Sequence, residues 1–147
     1  MPLPEFNADG DLPPAIHRAT MDEVAARFGG PSLARRRCTA NLRRVLELAN
    51  GTGQLERLIV FGSCVTDKEA PNDVDVILLV MNDTFHPDEA PIEAVGLFVH
   101  WIAQIRFGAS VFWIKPTMAL GEPLDEFIGH WQRKRDGSLR GIVEVIR

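Results

Sequence analysis

RLIVFGSCVTDKEAPNDVDVILLV, residues 57–80, decides how this chain is read. Leu58 to Phe61 and Val74 to Met81 are short, apolar and rich in branched side chains, the composition of central strands. The polar loop between them opens with Gly62-Ser63 and closes with Asp73-Val74-Asp75. Side chains alternate along a strand, so Asp73 and Asp75 are expected on one face, with Val74 and Val76 on the other. Two like charges about 5 to 7 Å apart at a partly buried site are unfavourable by on the order of a few kcal/mol. A fold retains such a pair most readily when a cation sits between the carboxylates. Oxygen-only ligands, few in number and beside a phosphate site, suit Mg²⁺ or Mn²⁺. The plainer alternative is a turn residue entering a sheet, with Asp75 at an exposed edge.

The Gly62-Ser63 turn supplies the phosphate half of that reading. A glycine after a buried strand lets backbone N–H groups converge where the chain reverses, and a serine hydroxyl adds a donor. Nine residues separate Ser63 from Asp73, enough to return on a neighbouring strand. Phosphate cradle and metal ligands would then meet at adjacent strand ends, an arrangement suited to phosphoryl or nucleotidyl transfer.

Outward from this stretch, residues 1–14 hold four prolines with Gly10 and several acids and read as an extended arm ahead of a domain over 15–147. Thr20 and Glu23 have capping-box spacing before a short helix over 21–28, which Gly29-Gly30 ends. A longer helix over 32–49 has Ser32 as N-cap, Gly51 just past its end, and Cys38, Leu42, Val45, Leu46 and Ala49 at helical spacing. Arg36 and Arg43 lie on one flank of its far side, Arg37 and Arg44 on the other; they form a solvated face or a basic ridge toward phosphate or a partner. Val95, Phe98, Val99, Ile102 and Ile105 predict a helix from about 92 to 106. ASVFWI, 109–114, reads as a strand, a short helix follows Pro123, and Asp136-Gly137 is expected to turn a hairpin between two strand-like runs. Helices and strands in this order make a single mixed α/β domain.

The 147 residues carry a net charge of −4, so no global basic field recruits nucleic acid, although a local patch would suffice. No apolar run approaches the roughly 18 residues that span a membrane, and the N-terminus lacks the basic and apolar segments of a signal peptide. Cys38 and Cys64 are the only cysteines. Two thiols make no disulfide framework, and both are expected to be free in a reducing cytoplasm. His17, His86 and His130 have no partner at metal spacing. His100 reads as a packed or surface histidine, Trp113 and Trp131 as core, and Arg133-Lys134-Arg135 as a solvated run.

FGS, nine residues and DVDVILLV together resemble the hallmark of the nucleotidyltransferase superfamily, the fold of polymerase beta and kanamycin nucleotidyltransferase. The resemblance implies that Gly62 and Ser63 hold the phosphates of a nucleoside triphosphate and that Asp73 and Asp75 bind divalent ions. It also implies a third carboxylate on a later strand. The whole chain resembles a small, uncharacterised bacterial family of such proteins through LPPAIHRAT, DEVAARFG, FGSCVTDKEAPNDVD, RFGASVFW and HWQRKRDGSLRGIVEV, which implies a complete unit. Small members of the superfamily often act with a helical toxin partner, so the resemblance implies a partner protein, or RNA, as acceptor.

The pattern departs in two places. GASVFWIK, where the third acid belongs, has none: Ser110 and Phe112 are expected on one face, Val111 and Trp113 on the other. Glu144 on the last strand and Asp136 at the turn are the candidates from elsewhere. The loop after Ser63 has Val65-Thr66-Asp67-Lys68 in place of the Arg-Gly that many small members show. Two functions follow: a Mg²⁺-dependent transferase moving a nucleoside monophosphate to a hydroxyl acceptor, or a catalytically silent subunit of the same fold that binds nucleotide or partner, as in a toxin–antitoxin pair.

Overall fold

The computed structural model describes residues 3–67, 75–134 and 136–146. Five strands form one mixed sheet in the order β1-β5-β2-β3-β4: β1 Ile16–Thr20, β2 Leu55–Phe61, β3 Asp75–Met81, β4 Ala109–Ile114 and β5 Ile142–Ile146. β1 runs parallel to β5 and β3 parallel to β4, while β2 is antiparallel to both its neighbours. Among the described residues four α-helices accompany them: α1 Met21–Phe28, α2 Leu33–Gly51, α3 His100–Phe107 and α4 Leu124–Gly129. The mixed α/β class expected from the element order is the one observed.

The central strands read as unbroken apolar runs because both faces of the sheet are covered. Leu58 and Val60 of β2, Ile77 and Leu79 of β3, and Val143 and Val145 of β5 pack toward α1, α2 and α3, meeting Val24, Phe28, Leu42, Val45, Ala49, Ala103 and Phe107. Ile59, Leu78, Val80 and Ile142 face the opposite way, onto Ile128 of α4 with Leu124 and Trp131 alongside. Each fully buried Leu or Ile contributes about 2 kcal/mol of transfer free energy, so both layers hold the sheet.

Local signals placed several elements well. Thr20 caps α1 reciprocally: its hydroxyl accepts from the Glu23 N–H at 3.2 Å, and the Glu23 carboxylate accepts from the Thr20 N–H at 3.1 Å. That bond from the Thr20 backbone is the main reason the Glu23 pKa is lowered. Ser32 caps α2 by accepting from the Arg35 N–H at 3.2 Å. Gly51 ends within α2, and the αL position falls to Gly53, φ 73°.

Four expectations are corrected. The helix over 92–106 is broken into a 3-10 segment, Val95–Phe98, and α3, because Val99 between them is extended (φ −121°, ψ 108°). Gly96 and the β-branched Val95 and Val99 weaken helix there, and Gly96 admits Ile102, whose Cγ2 would lie 3.0 Å from an added Cβ. Around Asp136-Gly137 a turn does form, with Lys134 N–H to the Ser138 carbonyl at 2.8 Å and an isolated bridge between Arg133 and Leu139. Its first arm, however, is a 3-10 turn at His130–Gln132, and β5 pairs with β1 and β2 instead. β1 lies where the sequence suggested no strand. As an edge strand it buries only Ala19, so its pattern carries little apolar signal. Finally, Cys38 and Cys64 are not free thiols: they are joined as a disulfide between α2 and the turn after β2, with Cα atoms 6.3 Å apart.

The arm packs on its own domain. Leu12 is fully buried, Phe6 meets Phe28 at 6.1 Å, and the Arg27 guanidinium lies 4.6 Å over the Phe6 ring while donating to the Pro4 carbonyl at 2.7 Å. No helix among the described residues is long and apolar enough to cross a membrane.

Candidate functional site

The antiparallel register of β2 and β3 pairs Phe61 with Val76, which brings Gly62 level with Asp75 at one end of the sheet. Neighbouring strands lie about 4.8 Å apart, so the glycine turn and the start of the acidic strand adjoin through backbone alone. Asp75 is the first residue of β3 and sits opposite Ala109 of β4. Asp73 falls outside the described residues, as do Lys68 and the side chains of Ser63 and Asp75.

Gly62 has φ +100°, in the region that disfavours side chains. The chain then makes a single 3-10 turn, Ser63–Val65, closed by the Val65 N–H to the Gly62 carbonyl at 3.2 Å. The first N–H groups of such a turn have no partner within it and point outward past its end. This turn is where the sequence reading places a phosphate cradle, at Gly62 and Ser63.

What anchors this turn was not legible from its own residues. Arg35 of α2 is 5% exposed, and its guanidinium donates to the Cys64 carbonyl at 3.0 Å, to the Thr66 carbonyl, and to the Phe28 carbonyl at 3.5 Å. Burial lowers the Arg35 pKa, and the Asp67 charge opposes that shift. Planar guanidinium donors suit several carbonyls at once, so one buried side chain fixes the Cys64–Thr66 stretch. Arg35 does carry a signal in the sequence. It occupies the apolar stripe of α2, at the spacing 35, 38, 42, 45, 49, where a cation has to reach for buried acceptors.

The arm adds a second brace. Asp11 and Thr66 form an isolated antiparallel bridge, and the Asp67 N–H donates to the Gly10 carbonyl at 2.9 Å. The Asp11 carboxylate, 6% exposed, takes Lys134 at 2.8 Å and has Arg140 at 3.8 Å. The hydrogen bond that Lys134 donates to Asp11 raises the Lys134 pKa. Lys134 thus leaves the solvated run in which the sequence placed it. Arg135 lies outside the described residues.

Both candidate third carboxylates have other partners. Glu144 is buried on β5, where its Oε1 accepts from Arg57 Nε at 3.1 Å and from a terminal guanidinium nitrogen at 2.6 Å, with Arg18 at 3.5 Å. Burial opposes the Arg57 charge, but the hydrogen bonds to Glu144 and then Asp125 outweigh it and raise the Arg57 pKa. The registers Ile59–Glu144 and Ile59–Leu78 put Glu144 two strands across and three residues along from Asp75. That is about 14 Å between backbones, too far for a shared ion. Asp136 instead caps its own turn, accepting from the Ser138 hydroxyl at 2.6 Å and the Ser138 N–H at 2.9 Å, which together lower its pKa.

The faces of β4 fall as expected, with Trp113 toward Phe85 (5.5 Å) and Phe98 (6.0 Å) on one side and Phe112 toward Trp131 (5.6 Å) and His100 (5.0 Å) on the other. Trp131 also meets Phe61 at 5.1 Å, one residue before the glycine turn. Among the described residues no three His, Cys, Asp or Glu side chains are grouped to hold a metal.

The chain belongs to a family of unknown function (DUF6932), which matches residues 4–146. No curated protein and no solved structure matches it.

Proposed function

We propose that the protein is a small Mg²⁺- or Mn²⁺-dependent nucleotidyltransferase that moves a nucleoside monophosphate from a nucleoside triphosphate to a hydroxyl on a partner protein or RNA. The observation that carries this reading is the adjacency of the Gly62 turn and Asp75 across the β2–β3 register. In it, Gly62 and Ser63 at the start of the turn hold the terminal phosphates and orient the pyrophosphate as leaving group. Asp73 and Asp75 hold the divalent ion, which when bound neutralises phosphate charge and lowers the pKa of the attacking hydroxyl. Arg35 acts through the turn, by fixing the Cys64 and Thr66 carbonyls. We place the protein in the cytoplasm, where nucleoside triphosphates are made.

A second reading is favoured by one observation. Glu144 is held by arginines, and β4 offers no acid, so among the described residues neither strand supplies a third carboxylate beside the Asp73 and Asp75 pair of the sequence. On that reading the chain is a silent subunit that binds nucleotide or a protein partner without transfer. Calorimetric titration with ATP and GTP, with and without Mg²⁺, tests both against folded Asp73→Asn, Asp75→Asn double variant. Metal-dependent binding that the double variant loses supports the nucleotide site. Transfer of labelled nucleotide to a partner then separates enzyme from silent subunit. Absence of any binding by folded wild type overturns the first reading.

A further inference from the structure

We propose that Cys38 is a thiol–disulfide exchange site through which a low-molecular-weight thiol sets the mobility of the Gly62–Thr66 turn. The disulfide joins the second turn of α2 to Cys64, the second residue of the 3-10 turn that follows Gly62. A covalent link between a helix and a candidate phosphate turn controls the turn directly, and no intervening element has to carry the effect. The proposal deepens the reading above, since the turn is its phosphate cradle, but the switch itself is defined without a nucleotide.

The two sulfurs differ in access. Cys64 is 5% exposed, under the arm and α2, whereas Cys38 is half-buried on a helix whose neighbours Arg36 and Arg37 are exposed. Attack is therefore expected at Cys38 rather than at Cys64. A thiolate bonds to the Cys38 sulfur as the S–S bond breaks, and the electron pair leaves on the Cys64 sulfur, which then takes a proton. A second thiol attacks the mixed disulfide, releasing the oxidised reductant and the Cys38 thiolate. The sum is one protein disulfide and two thiols giving two cysteines and one small disulfide. Arg35, which binds the Cys64 carbonyl at 3.0 Å, puts a positive charge beside the residue that bears the leaving sulfur. The flanking Arg36 and Arg37 favour an anionic thiol, the class of a carboxylate-bearing thiol peptide, over a neutral one.

Reduction leaves the turn its Arg35 bonds and the Asp11–Thr66 bridge. The expected reduced state is thus a folded protein with a loosened turn. In a reducing cytoplasm the thiol form is the resting one, and the reverse exchange, in which a low-molecular-weight disulfide takes the two electrons and leaves as two thiols, is the event that fixes the turn.

The test is hydrogen exchange with mass spectrometry on the full chain, oxidised and after dithiothreitol, without nucleotide. Exchange over residues 62–67 is expected to quicken by about tenfold or more on reduction, with the remote turn at 82–85 unchanged. Limited reaction with glutathione is expected to give a mixed disulfide mapped to Cys38. Cys38→Ser should reproduce the reduced pattern, and if it folds poorly the reduced wild type carries the same measurement. Equal exchange over 62–67 in both states, or adduct formation at Cys64 alone, overturns the proposal. Titration with ATP and Mg²⁺ in both states then reads the coupling. A difference in affinity of several-fold supports control of the nucleotide site. No binding in either state overturns the transferase reading, while a redox-dependent exchange pattern would still uphold the switch.

Discussion

Replacing Glu144 with glutamine separates a structural carboxylate from a metal ligand. The Glu144 and Arg57 side chains are 11% and 16% exposed and meet at 2.6 Å. Removing one partner of a buried pair costs about 3–5 kcal/mol, largely by leaving the other charge uncompensated. Here Arg57 keeps Asp125 at 2.7 Å, and the amide oxygen of glutamine still accepts one hydrogen bond. The expected loss is therefore below that range, about 2 kcal/mol for Glu144→Gln and about 3 kcal/mol for Glu144→Ala. Arg57→Met should lose more, about 3–4 kcal/mol, because the buried carboxylate retains only Arg18, which is 60% exposed and so screened. With a urea m-value of about 1–3 kcal/mol/M, the midpoint for Glu144→Gln falls by roughly 1 M at unchanged m. The double variant should recover part of the summed loss, a coupling of about 1–3 kcal/mol. Additive single losses would refute the ion-pair reasoning. A stable Glu144→Gln that has lost metal-dependent nucleotide binding would refute the 14 Å separation argued from strand register.

Three further outcomes are expected. Arg35→Met removes donors to three buried carbonyls and should lower stability by about 2–4 kcal/mol; a urea midpoint within error of wild type would mean that water replaces the guanidinium. Gly62→Ala meets only ordinary contact, Val76 Cγ2 at 3.5 Å, so its loss should come from φ +100° alone, about 1–3 kcal/mol. A larger drop in urea stability would point to a collision the backbone geometry does not contain. Glu23 has a lowered pKa, so its capping contribution is complete above the ordinary glutamate value of about 4.3 and fades as pH falls through the lower folded value. The melting-temperature gap between wild type and Glu23→Gln should accordingly narrow below about pH 4. A gap that stays constant from pH 6 to pH 3 contradicts the role given to the carboxylate.

By itself, the sequence determined the parts that depend on near neighbours. Caps at Thr20 and Ser32, the apolar period of α2, the branched runs of β2, β3 and β4, and the glycine after Phe61 act within a few residues, and all were legible. The same locality accounts for the misreadings. The period over 92–106 is helical, but a single extended residue, Val99, divides it, and β1 gains its strand character only from pairing with the far end of the chain.

The candidate site divides along the same line. The level placement of the Gly62 turn and Asp75 follows from two strands that are neighbours both in the sequence and in the sheet, a consequence of residues 57–80. Only the tertiary structure decided what surrounds it. The Cys38–Cys64 disulfide spans 26 residues, the Arg35–Thr66 bond 31, and the Arg57–Glu144 pair 87. Spacing and periodicity register only what a chain does to itself within a turn or a strand. Contacts across such separations come into being when the sheet orders its strands and packs α2 upon them.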